Sequence, residues 1–143
     1  MHFELSPEYQ QTIGPLSSKE GGVKKPVISI AELEALCEGN EILQELLKDM
    51  VDSCLEYTIT VANFKKTFSE NKDNITRAAA EENSAIDTLR RSVHNKTISD
   101  INIFSRTLGK YNKNNDWMDE AGMDGQNRGA YGRFALTLTL SRL

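Results

Sequence analysis

Residues 41–70 read EILQELLKDMVDSCLEYTITVANFKKTFSE, thirty positions without a proline or a glycine. Within them Leu43, Leu47, Met50, Cys54, Tyr57, Val61, Phe64 and Phe68 recur at alternating steps of four and three. That step holds side chains on one stripe of an α-helix and on a seam shared with a second helix. Ile42, Leu46, Val51 and Leu55 widen the stripe beyond a bare coiled-coil seam. A broad stripe suits a helix that touches two or more neighbours. At 1.5 Å per residue the rod would be about 45 Å long.

The flanks support these limits. Asn40 is a good N-cap, and Glu41 suits the positive end of the helix dipole. Lys65 and Lys66 fall in the last turns, where the dipole favours cations. Upstream, Ser29-Ile30-Ala31-Glu32 has the form of a capping box, followed by Ala31, Leu33, Leu36 and Cys37 and a stop at Gly39. This predicts a short helix of about two to three turns. Downstream, Asn71-Lys72-Asp73-Asn74 is a polar turn. A second long helix is expected from Ile75 or Thr76 to Leu108, with Gly109 closing it. Its apolar positions are Ala79, Ile86, Leu89, Val93, Ile98, Ile101, Ile103, Phe104, Leu108 and Tyr111. Two rods joined by so short a turn must run antiparallel.

The ends are less regular. Residues 1–28 are punctuated by Pro7, Gly14-Pro15, Gly21-Gly22 and Pro26 and are expected to form an irregular arm. Residues 109–127 are polar and glycine-containing, with Trp117 and Met118 expected to pin that loop to the bundle. In the tail, Leu136, Leu138 and Leu140 alternate with threonine at strand period, whereas Tyr131, Phe134, Ala135 and Leu138 fit helix period. A C-terminal helix is the expectation, because a lone strand in a helical domain has no edge to pair with. The alternative is a strand paired with the N-terminal arm. The chain therefore reads as all-α: a helical bundle on a long antiparallel α-hairpin with a short N-terminal and a C-terminal helix. The arm covers 1–28 and a single domain covers 29–143.

Composition narrows the function. A formal net charge of -4 argues against a general nucleic-acid binder, which needs a basic face to displace counterions from phosphate. No run approaches the roughly 18 apolar residues of a membrane span, and Met1 to Pro7 lacks the basic and apolar regions of a signal peptide. A cytoplasmic protein is expected. Cys37 and Cys54 are isolated in helical patterns and read as buried free thiols. With no CxxC spacing they suggest no zinc site, and neither a metal nor a cofactor is expected.

The densest polar set is on the second long helix: Asp87, Arg90, Arg91, His94 and Asn95. Asp87 stands three and four residues before Arg90 and Arg91, and Arg90 four before His94, so these side chains meet on one side. Arg106, Arg128 and Arg133 are further along and could join them. Three readings compete: an exposed ion pair, a partly buried network that fixes helix register, and a catalytic cluster. In the second, Asp87→Ala leaves an arginine unpaired and lowers the melting temperature.

The run Asp87-x-x-Arg90-Arg91-x-x-His94-Asn95-x-x-Ile98, then Asn102-Ile103-x-x-Arg106, and later Arg128 with Phe134-Ala135, resembles a small bacterial helical family of unknown function. The resemblance covers residues 80–140. It implies a helical bundle and no established activity, and so brings no catalytic residues.

The enzyme alternative is a metal-independent helical ribonuclease, or a small-ligand binder, with His94 as general acid/base and an arginine against a phosphorane. Such ribonucleases leave about four to six residues between the arginine and the histidine that follows it. Here three residues separate Arg90 from His94 and two separate Arg91 from it. Glu41, Glu45, Asp49 and Asp52 imitate the acid rows of all-α pyrophosphohydrolases, but Glu81-Glu82 is a poor facing match, and a solvated acidic face is favoured. Glu-x-x-His motifs and a phosphate-binding loop are absent from the sequence. The expectation is a structural or protein-interaction module, not an enzyme, that pairs with itself as a homodimer or with another protein. Two long rods with a broad stripe need more cover than two short helices provide.

Overall fold

The computed structural model describes residues 29–111 and 128–140, and the side chains of 128–130 and 140 lie outside what is described. The described residues form helices α1 (Ile30–Leu36), α2 (Glu41–Glu70), α3 (Arg77–Tyr111) and α4 (Arg128–Leu140). The fold is an all-α bundle, as the periodicity predicts. The N-terminal arm, Trp117 and Met118 lie outside the described residues.

Local chemistry sets the helix ends. The Ser29 hydroxyl accepts from the Glu32 amide at 3.2 Å and starts α1. Gly39 has φ +77°, the left-handed turn that frees the chain to reverse. Asn40 Oδ1 then accepts from the Leu43 amide at 3.1 Å and opens α2. Asn74 Oδ1 takes the Thr76 amide, and Thr76 Oγ1 takes the Ala79 amide, so Thr76 caps α3. The expected stop at Gly109 does not occur. The α3 helix continues through Gly109 to Tyr111. Gly109 lacks the positive φ of a glycine stop, and the fully buried Leu108 anchors that turn.

The rods α2 and α3 run antiparallel. Residue numbers fall on α3 as they rise on α2: Ser53 meets Thr97, Phe64 meets Arg90, and Asn71 meets Asn83. The third rod, α4, lies against α2. Tyr131 Oη donates to Asn102 Oδ1 at 3.2 Å, while Thr139 Oγ1 stands 3.4 Å from Thr58 Oγ1. These ties place the start of α4 towards the base of the hairpin and its end beside the middle of α2. Gly132 permits the close approach, since a Cβ there would sit 3.0 Å from Tyr57 Oη.

The tail is helical through Leu140, not strand. Tyr131, Phe134, Ala135 and Leu138 are buried at helical spacing. Thr137 and Thr139 donate their hydroxyls to the carbonyls of Arg133 and Ala135. That back-bonding satisfies the hydroxyls without a strand partner.

The core is concentrated at the base. Leu33, Leu43, Leu47, Met50, Cys54, Ile101, Phe104, Leu108 and Leu138 are at most 1% exposed. Cys37 and Cys54 are both free and buried there. Towards the turn the seam opens. Tyr57, Val61 and Phe64 are half-buried, and Phe68 is 44% exposed. Leu89 and Ile103, which the periodicity assigns to the apolar face of α3, are 50% and 42% exposed. They lie on a flank of α3 offset from the stripe of Val93, Ile101 and Leu108 that meets α2.

Candidate functional site

Asp87 organises the sequence-selected cluster. Its Oδ1 accepts from Arg90 Nη2 at 2.7 Å and from Arg90 Nε at 3.1 Å. Its Oδ2 stands 3.0 Å from Arg91 Nη2. One carboxylate thus holds both guanidinium groups from the i+3 and i+4 positions. The Arg90 hydrogen bond, helped by the Arg91 charge, holds the Asp87 carboxyl below the usual carboxylate range. Arg90 also lies 4.8 Å over the centre of the Phe64 ring. This cation–π contact carries the cluster from α3 to α2.

His94 turns to a different neighbour. Its ring packs 5.2 Å from that of Tyr57, tilted by 47°. Burial pushes the Tyr57 phenol up, and the Arg90 charge partly offsets it. Phe64 and Phe68 continue the aromatic row at 4.6 Å. Asn95 faces solvent. Arg106 is exposed and twelve residues beyond His94 on the same helix, a rise of about 18 Å. It does not join the cluster. Arg133 is also exposed, and the Arg128 side chain lies outside the described residues. The structure therefore brings Asp87, Arg90 and Arg91 together, sets His94 beside Tyr57, and leaves Asn95 and Arg106 apart.

A second polar cluster has no counterpart in the sequence reading. The Ser53 hydroxyl on α2 donates to Asp100 Oδ2 on α3. Lys96 Nζ donates to Ser53 Oγ at 3.0 Å and to Asp100 Oδ2 at 3.4 Å. Thr97 Oγ1 reaches both the Ser53 carbonyl at 3.0 Å and the Val93 carbonyl at 2.8 Å. A serine between a lysine and an aspartate has the residue types of a nucleophilic centre. Ser53 is only 2% exposed, however, so its hydroxyl is sealed from any substrate. The group is a clasp that fixes the register of α2 against α3. The one hint of it in the sequence is the i,i+4 spacing of Lys96 and Asp100.

A shallow concavity of about 350 Å³ lies elsewhere, on the side of α2 that carries Asp52, Leu55, Glu56, Ile59 and Thr60. Burial raises the Asp52 carboxyl, with the Lys48 charge partly opposing it. Neither the Asp87 cluster nor the clasp borders it. Among the described residues no group of three or more His, Cys, Asp or Glu could hold a metal ion, and no helix is long and apolar enough to cross a membrane. Comparison with protein-family models, curated proteins and solved structures gave no match. The geometry defines a class only: an all-α hairpin bundle with polar ties between its rods.

Proposed function

We propose that the protein is a helical interaction module that associates with a second copy of itself, or with another protein, through the uncovered flanks of its hairpin. The observation that carries this reading is the exposure of large apolar side chains along the rods. Ile42, Phe68, Leu89 and Ile103 are 58%, 44%, 50% and 42% exposed. Large apolar side chains left in water on both rods offer surface that a partner would gain by burying. The two polar clusters stiffen the rods that present it. Asp87 has both oxygens engaged by arginines, and Ser53 is enclosed. Both arrangements serve packing better than turnover. Two free, buried thiols suit a reducing compartment such as the cytosol. The resemblance to a small bacterial helical family adds a bundle and no activity to this reading. Sedimentation velocity over a range of concentrations tests it. A reversible oligomer is the expected result. A strict monomer that also fails to retain any protein partner overturns the proposal.

A further inference from the structure

Four positions at one seven-residue step run along a flank of α3, namely Glu82, Leu89, Lys96 and Ile103, and Ile75 stands one step earlier in the link just before the helix begins at Arg77. All five are exposed, Ile75 at 99%. A strict seven-residue step keeps side chains on one line when two helices wind around each other with a left-handed twist. The order isoleucine, glutamate, leucine, lysine, isoleucine has a special property. Reversed, it sets isoleucine against isoleucine, glutamate against lysine, and leucine against leucine. A chain that reads this way complements an inverted copy of itself.

Resting on the self-association reading above, we infer that the partner is a second copy of this chain, docked α3 against α3 in antiparallel fashion about a two-fold axis at Leu89. In that register Leu89 meets its own counterpart on the axis. Glu82 stands level with Lys96 of the other copy, and the symmetry makes this ion pair twice. At each end Ile103 comes against the link that carries Ile75 ahead of the helix, so both exposed isoleucines lose water together. The contact is isologous, as a closed dimer requires. It is self-complementary in charge, which selects this register over neighbouring ones. A shift of one heptad would oppose Lys96 with Leu89 and Glu82 with Ile103. The four helical rungs, from Glu82 to Ile103, cover twenty-one steps, about 32 Å of helix.

The residues between the rungs fit close approach. Ala78, Ala85, Ser92 and Ser99 follow at the same seven-residue step and are all exposed. Small side chains at these places let two backbones come near each other without a clash. The side chain of Lys96 is 62% exposed while it touches the clasp. It has room to face a carboxylate across the interface.

The experiment uses the full chain and sedimentation velocity, with helicity checked by circular dichroism. Glu82→Lys alone is expected to weaken the dimer at least tenfold, since it places four cations along the seam. Lys96→Glu alone is expected to do the same. The double variant restores opposite charges across the seam but still lacks the Lys96 tie to Asp100, so it is expected to bind at least tenfold more tightly than Lys96→Glu alone. Leu89→Cys gives a surface thiol beside its own counterpart, and a short bis-maleimide is expected to link the two copies. Cys37 and Cys54 are buried and do not compete. Glu82→Lys leaves the Ser53 clasp untouched and carries the test if Lys96→Glu unfolds the chain. A dimer that ignores Glu82→Lys and gives no Leu89→Cys cross-link overturns this interface while leaving self-association standing. A chain monomeric at every concentration removes both.

Discussion

The base and the tip of the hairpin are made from the same periodic stripe yet differ in what covers it. At the base, Leu43, Leu47, Met50 and Cys54 of α2 are enclosed by α1, α3 and α4 and are at most 1% exposed. From the next turn onward, Tyr57, Val61 and Phe64 are only half-buried, and Phe68 is 44% exposed. The third rod makes the difference. Among the described residues its hydrogen-bonding tie furthest towards the tip is Thr139 against Thr58 on α2. Beyond that level, among the described residues, the rods have only each other, and their contacts turn from aliphatic packing to Arg90 over Phe64 and Asn71 against Asn83. A stripe specifies which side chains share a side. The number of neighbours decides how much each one stabilises.

Substitutions sharpen this contrast. Leu47→Ala at the sealed base is expected to lower unfolding free energy by about 2–5 kcal/mol, through lost burial and the cavity left behind. Phe68→Ala at the tip removes a larger side chain and is expected to cost about 1 kcal/mol or less, because water already reaches the ring. Urea denaturation followed by circular dichroism measures both. Equal losses would show that the tip is covered as well as the base.

Between the two regions, Thr97→Val keeps the shape and removes the hydroxyl that joins α3 to the Ser53 carbonyl. It is expected to cost about 1–2 kcal/mol, the usual size for a buried hydrogen bond. A change near zero in the same titration would mean that Ser53, Lys96 and Asp100 hold the register without it. At the end of α3, Gly109→Ala is expected to stabilise by about 0.5–1 kcal/mol. The position is helical, has no positive φ, and meets nothing within 4 Å of an added Cβ. A loss there would mean that the chain needs the glycine as a hinge.

The smallest expected effect is a pH response. Asp87 has a folded-state pKa below its unfolded value. Its contribution is therefore present above the unfolded value, about 3.9, and fades as pH falls through the folded one. Asp52 is shifted the other way by burial. Its contribution is present at low pH and is lost as pH rises through the folded value. Melting curves between pH 3 and pH 7 are expected to show Asp87→Asn flattening the acid loss and Asp52→Asn leaving a steeper one. Identical profiles for the two variants would remove the distinction between an acid held by two arginines and one raised by desolvation.

How far these differences were legible depends on which forces are local. Asn40 and Gly39 fix the start of α2 by capping and turn chemistry within a few residues, and the helix begins where they say. Asp87 finds Arg90 and Arg91 because i+3 and i+4 neighbours meet on any helix. The end of α3 lies beyond the stop that its glycine suggests. Gly109 is compatible with a stop and with a helix, and only the packing of Leu108 decides between them. The clasp was invisible for a related reason. Ser53 and Asp100 are 47 positions apart, and the register between two rods is written in neither rod's own period. The exposure of Leu89 and Ile103 follows from where α4 lies, and α4 is reached through a segment with no periodic signal.

The two buried sulfurs give the molecule a stopwatch. Burial raises the Cys37 thiol to about 11, and the Cys54 thiol higher still. At neutral pH neither offers the thiolate that alkylating reagents attack. Each is consumed only as fast as its surroundings part. Cys37 follows α1, whereas Cys54 lies at the tip-ward edge of the base, at the level that α4 covers. Their two labelling rates therefore time, in one sample, whether the short lid at the base lifts before the third rod peels away.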